Sequence, residues 1–114
     1  MWTIYHNPRC SKSRQTLQLL QEKGLEPEVV LYLETPPSAQ ILNEILARLG
    51  TGARDLMRTG EALYGQLNLQ DKTLSEAQLI DAMAKNPILI QRPIVVKGDK
   101  AAIGRPPEAV LELF

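Results

Sequence analysis

Trp2-Thr3-Ile4-Tyr5-His6-Asn7-Pro8-Arg9-Cys10-Ser11-Lys12-Ser13-Arg14 changes character in the middle. The first five residues are rich in aromatic and β-branched side chains and read as a short strand that ends at the turn signal Asn7-Pro8. After Cys10 the apolar spacing becomes helical, with Leu17 and Leu20 on the pattern and Gly24 as its stop. A thiol therefore sits where a strand gives way to a helix. Val29-Val30-Leu31-Tyr32 is apolar on consecutive positions, which predicts a second strand covered on both faces. One helix separates the two strands, so a right-handed βαβ unit with parallel strands is expected.

Working outward, Ser38 is placed to cap a helix whose apolar residues Ile41, Leu42, Ile45, Leu46 and Leu49 share one face, with Gly50 beyond its end. Residues 53–68 read as one or two short helices around Leu56, Met57, Leu63 and Leu67. Ser75 with Gln78 forms a capping box for a helix carrying Leu79, Ile80 and Met83, and Asn86-Pro87 stops it. The period then shortens again. Pro93-Ile94-Val95-Val96 and Ala101-Ala102-Ile103 flank Gly98-Asp99, a hairpin signal, and Pro106-Pro107 opens a last helix through Val110 and Leu113. The expected order is βαβ, helices, ββα, an α/β chain without repeats or low-complexity tracts.

A length of 114 residues suits one domain of ordinary size, and a single compact unit is expected. With 44% hydrophobic and 23% charged residues the composition is that of a globular protein that buries about two-thirds of its unfolded surface. Thirteen basic and thirteen acidic side chains cancel, which argues against a nucleic acid or an anionic membrane as partner. The balance is uneven along the chain: residues 1–21 carry Arg9, Lys12 and Arg14 with no acid, and the excess of acid lies in residues 22–84. Cys10 is the one cysteine, so these residues form no internal disulfide and no cysteine cluster for a metal. No apolar run approaches the roughly 20 residues of a membrane span, and the chain reads as cytoplasmic.

A cysteine at the first turn of a helix faces unpaired backbone N–H groups and the positive end of the helix dipole, both of which favour thiolate. Arg9, Lys12 and Arg14 add positive charge, with His6 close in sequence. A lone cysteine is more often a buried, inert residue, but these polar and basic neighbours do not make an apolar niche. Cys10-Ser11-Lys12-Ser13 has the spacing of a redox motif with a hydroxyl in place of the second thiol. Ser13 is expected to donate to the thiolate, yet it cannot resolve a disulfide, so any redox cycle needs an outside thiol.

His6-Asn7-Pro8-Arg9-Cys10-Ser11-Lys12-Ser13-Arg14, Leu31-Tyr32-Leu33-Glu34-Thr35-Pro36-Pro37, Arg58, Pro87 to Val96 and Arg105-Pro106 together resemble, in order and over nearly the whole chain, the glutaredoxin-coupled arsenate reductase family. The resemblance implies a thioredoxin-like three-layer α/β fold on a mixed four-stranded sheet, with a helical insertion over about 38–86. It implies Cys10 as nucleophile, His6 as an aid to thiolate formation, and Arg58, Arg92 and Arg105 as the arginines that hold an oxyanion. Asn7, Ser13, Arg14 and Pro93 fall at substrate-binding positions, and Arg92-Pro93 is expected to be a cis peptide. Guanidinium forks match a tetrahedral oxyanion and at the same time lower the pKa of a nearby thiol.

The implied reaction is reduction of arsenate to arsenite, with glutathione as reducing co-substrate, glutaredoxin as partner, and no tightly bound cofactor or metal. Two alternatives stand beside it. One keeps the thiolate and makes the substrate a glutathionylated protein or small disulfide. The other is a non-enzymatic regulator that binds RNA polymerase, against which Ser13 weighs, because it stands where such regulators carry a second cysteine.

Overall fold

Trp2–His6 forms β1 and Glu28–Leu31 forms β2, paired in parallel with Ile4 opposite Val29 and His6 opposite Leu31. The computed structural model describes all 114 residues. Between the two strands runs α1, Ser11–Glu22, which ends in a turn with Gly24 at φ 84°. Ile94–Lys97, β3, lies antiparallel to β1, and Lys100–Ile103, β4, returns antiparallel to β3 across a tight turn with Gly98 at φ 58°. The positive φ is what a short hairpin demands and glycine supplies without steric cost. The sheet order is β2-β1-β3-β4, a mixed four-stranded sheet.

The chain forms two compact units, one of Met1–Thr35 with Arg92–Phe114 and the other of Pro36–Gln91. In the first, Ile4, Leu20, Val95, Val110 and Leu113 make the core. β2 departs from its expected environment: it is an edge strand, and Val29 and Leu31 are exposed. A consecutive apolar run reports hydrophobicity and not cover, and a strand with only one neighbour leaves part of its surface open. The last helix is also different in kind. Pro107–Leu113 is a 3-10 helix, and its buried residues Pro107, Val110 and Leu113 recur every three positions, the repeat that places them on one face of that tighter helix.

In the second unit α2, Ala39–Leu49, begins where Ser38 Oγ accepts from the Ile41 N–H at 3.2 Å and ends at Gly50, φ 71°. Leu42, Ile45 and Leu46 are its buried stripe, while Ile41 is turned outward. The short helices α3, Ala53–Leu56, and α4, Ala62–Gln66, follow. Arg54 ties them together by donating to Tyr64 Oη at 3.1 Å and to the carbonyls of Leu69 and Asp71. Glu76 opens α5, Glu76–Lys85, and its carboxylate accepts from the Ala53 N–H at 3.0 Å. The Ser75–Gln78 capping box is formed in both directions. No helix is long and apolar enough to cross a membrane.

Candidate active site

The loop between β1 and α1 is a closed hydrogen-bonded turn built from the residues that the sequence placed there. The Cys10 N–H donates to the Asn7 carbonyl at 3.0 Å, the Arg9 N–H donates to Asn7 Oδ1 at 3.0 Å, and Arg14 Nη1 donates to the Pro8 carbonyl at 2.8 Å. Asn7 and Arg14 are therefore braces of the loop. Cys10 is the N-cap of α1 in an extended conformation, and its partly buried thiol stands at the open end of the helix.

Burial by itself pushes the Cys10 thiol up. The Ser13 N–H, the Arg92 side chain and the Lys12 N–H hydrogen-bond to the sulfur, Arg92 adds its charge, and the net result is a thiol below its ordinary value. Arg105 Nη1 reaches toward Sγ at a longer 3.8 Å and donates to the Arg92 carbonyl at 3.2 Å. Arg92 Nε and Nη1 are buried with no protein acceptor. Two guanidinium donors held beside a thiolate without a partner are a standing demand for an acceptor, since a buried donor left unpaired is costly.

Ser13 departs from expectation. Its hydroxyl is fully buried and turned away from the sulfur: Oγ accepts from the Asn7 N–H at 3.0 Å and lies 2.6 Å from His6 Nδ1. It is the backbone N–H of Ser13 that serves the thiolate. His6 is buried, and burial together with the charge of Arg14 holds it below the usual histidine range, so the ring is neutral near pH 7. The tautomer of the neutral ring sets which of Nδ1 and the Ser13 hydroxyl donates, and in either case the 2.6 Å bond joins the end of β1 to α1. His6 thus positions the first turn of α1 through Ser13.

Pro93 is buried at the start of β3, and its carbonyl accepts from the Gly104 N–H at 2.9 Å. The Arg92–Pro93 peptide is cis, and so is Arg105–Pro106, which the sequence reading did not include. Arg58 lies in the other unit, where Nε pairs with Glu61 at 3.1 Å and Nη1 donates to Gln91 at 3.1 Å.

Thr16 and Gly104 also support the site and were missed from sequence. Thr16 Oγ1 donates to the Lys12 carbonyl at 2.8 Å and to the Gly104 carbonyl at 3.4 Å, joining α1 to the residue before Arg105. The signal was present: Ser13, Thr16 and Leu20 occupy one buried face of α1, two of them polar. No group of three or more His, Cys, Asp or Glu side chains is placed to hold a metal ion.

The profile of the ArsC family matches residues 5–113. The protein YfgD of Escherichia coli K12, itself uncharacterized, is 64% identical over 96% of this chain and 93% of its own length. The arsenate reductase of Haemophilus influenzae is 52% identical, with 97% of each chain covered. The solved structure of the arsenate reductase from Vibrio cholerae superimposes with a TM-score of 0.97 at 52% identity, over 99% of this chain and 97% of that one. With a family profile spanning nearly every residue and the same backbone in a relative more than half identical, the chain belongs to the ArsC family and has its thioredoxin-like fold.

Proposed function

We propose that the protein reduces arsenate to arsenite, with Cys10 as nucleophile, Arg92 and Arg105 as anchors of the oxyanion, and glutathione with glutaredoxin as the source of thiols. The observation that supports this most directly is the pair of unpartnered guanidinium donors on Arg92 beside an acidified thiol. The names of the Haemophilus and Vibrio relatives point to the same oxyanion.

In this reading the Cys10 thiolate attacks arsenic, a sulfur–arsenic bond forms, and one arsenate oxygen leaves as water after taking up protons. The oxidation state of arsenic is unchanged at that point. A glutathione thiol then forms a second sulfur–arsenic bond, and another oxygen leaves arsenic as water, taking the thiol proton and one from solvent. The two sulfurs part from arsenic as a Cys10–glutathione disulfide, and the two electrons they give up convert arsenic(V) to arsenic(III). A single cysteine stops there, so an outside thiolate, that of glutaredoxin, attacks the glutathione sulfur of the mixed disulfide, takes the glutathionyl half, and Cys10 leaves as thiolate.

Purified protein with arsenate, glutathione and glutaredoxin is expected to release arsenite, and Cys10→Ser is expected to abolish the release. Arsenite production that persists in Cys10→Ser, or none from the parent protein, overturns the reading.

A further inference from the structure

A cavity of about 450 Å³ opens beside the thiol loop, lined by His6, Asn7, Pro8 and Arg9 from the end of β1 and that loop and by Leu31, Leu33 and Glu34 from the end of β2 and the residues after it. We infer that it is the docking site for the γ-glutamyl end of glutathione. The inference rests on the reading of glutathione as the reducing thiol and adds where and how it binds.

Position is the first argument. His6 and Leu31 are paired residues at the carboxyl ends of the parallel strands β1 and β2. Ligands of α/β sheets gather in the crevice beyond such ends. Arg9, in the lining, immediately precedes Cys10, so the cavity adjoins the loop that carries the thiol.

Size and charge carry the rest. The volume falls within the range of small-molecule sites. Arg9 and Glu34 place opposite charges on the same cavity, and neither has an ion-pair partner, the pairs in this chain being Arg58–Glu61 and Lys85–Asp81. The one hydrogen bond of Arg9 is made by its backbone, which leaves the guanidinium for a ligand. An inorganic anion alone is repelled by Glu34, and a simple cation by Arg9. An α-amino acid head satisfies both, with its carboxylate at Arg9 and its ammonium at Glu34. Leu31 and Leu33 are exposed apolar side chains in the same lining, suited to the two methylenes of a γ-glutamyl stem.

The test omits arsenate. The Cys10 thiolate attacks one sulfur of a disulfide, a new sulfur–sulfur bond forms to that half, and the other half leaves as thiolate with the electron pair of the broken bond. Rates are measured with oxidised glutathione and with 2-hydroxyethyl disulfide, which has the same reacting bond and no amino acid head. The ratio of the two rates is compared in the parent protein, Arg9→Gln and Glu34→Gln. Each substitution is expected to lower the ratio on the order of tenfold, the effect of one charge-assisted hydrogen bond. Glu34→Gln is the decisive arm. Oxidised glutathione is an anion, so if net charge alone mattered, removing a carboxylate would raise the ratio. A ratio that rises in Glu34→Gln, or is unchanged in both variants, overturns the site. A protein that shows the paired loss but releases no arsenite keeps the site and loses arsenate as substrate. One that releases arsenite while neither variant alters the ratio keeps the function and loses the site.

Discussion

Cys10 has opposing influences on its acidity, and the outcome depends on a residue far away in the chain. Burial favours the neutral thiol, while two backbone N–H groups and Arg92 favour the thiolate and prevail. Alkylation by iodoacetamide, followed against pH, should therefore reach half its maximum rate below the ordinary thiol value of about 8.5. Arg92→Ala should move that midpoint upward, and Arg92→Lys should recover part of the change, because an ammonium keeps the charge and loses the planar fork. His6 provides a second test at this scale. Its folded-state value is depressed by burial and by Arg14, so the unfolded chain binds the proton first. Its contribution to stability is present above the unfolded value of about 6.5 and is lost as pH falls through the lower folded value. The chain has one histidine, so urea midpoints measured from pH 7.5 to 5 should fall more steeply in the parent protein than in His6→Gln.

At the scale of elements, the junction of α1 with the segment that carries Arg105 depends on a missing side chain. A Cβ on Gly104 meets Thr16 Oγ1 at 2.5 Å and Pro93 Cγ at 2.8 Å, closer than real contacts allow. The same residue is held through its N–H to Pro93 and its carbonyl to Thr16. Gly104→Ala should cost about 1–3 kcal/mol by overpacking, read from urea unfolding. It should also shift the iodoacetamide pH profile, because Pro93 and Thr16 flank the residues that set the thiolate. A stability loss with an unmoved profile would confine Gly104 to packing. Much of the element scale was legible in advance. Ser38, the Ser75–Gln78 box and the Gly98 turn act on their own neighbours within three residues, so their chemistry is complete in the local sequence. The 3-10 form of Pro107–Leu113 was not legible, since apolar spacing near three suits both kinds of helix.

Across the first unit, the layer that supports the site is a small core in which Leu20 of α1 meets Ile4 of β1 and Val95 of β3. Leu20 is fully buried, and Leu20→Ala should cost about 2–5 kcal/mol in urea unfolding. A cost below about 1 kcal/mol would mean that α1 is held by the loop bonds and not by the core.

The order of strands and helices, the caps, the hairpin and the place of Cys10 at a helix start were readable from residues alone. They depend on periodicity and on contacts a few residues long, which any window of the chain contains. Three matters were decided only when the chain closed on itself. β2 became an edge strand because cover depends on what lies beyond a strand. The Ser13 hydroxyl turned to His6 and the Asn7 N–H because a buried hydroxyl goes to the partners that packing leaves it. Arg105 came to the Cys10 sulfur across 95 positions of chain, and Arg92 with it, through strand pairing that brings β3 against β1. The thiol was visible in the sequence as a residue type at a helix end; its two guanidinium neighbours belong to the tertiary structure, because electrostatic attraction acts through space and is blind to separation along the chain.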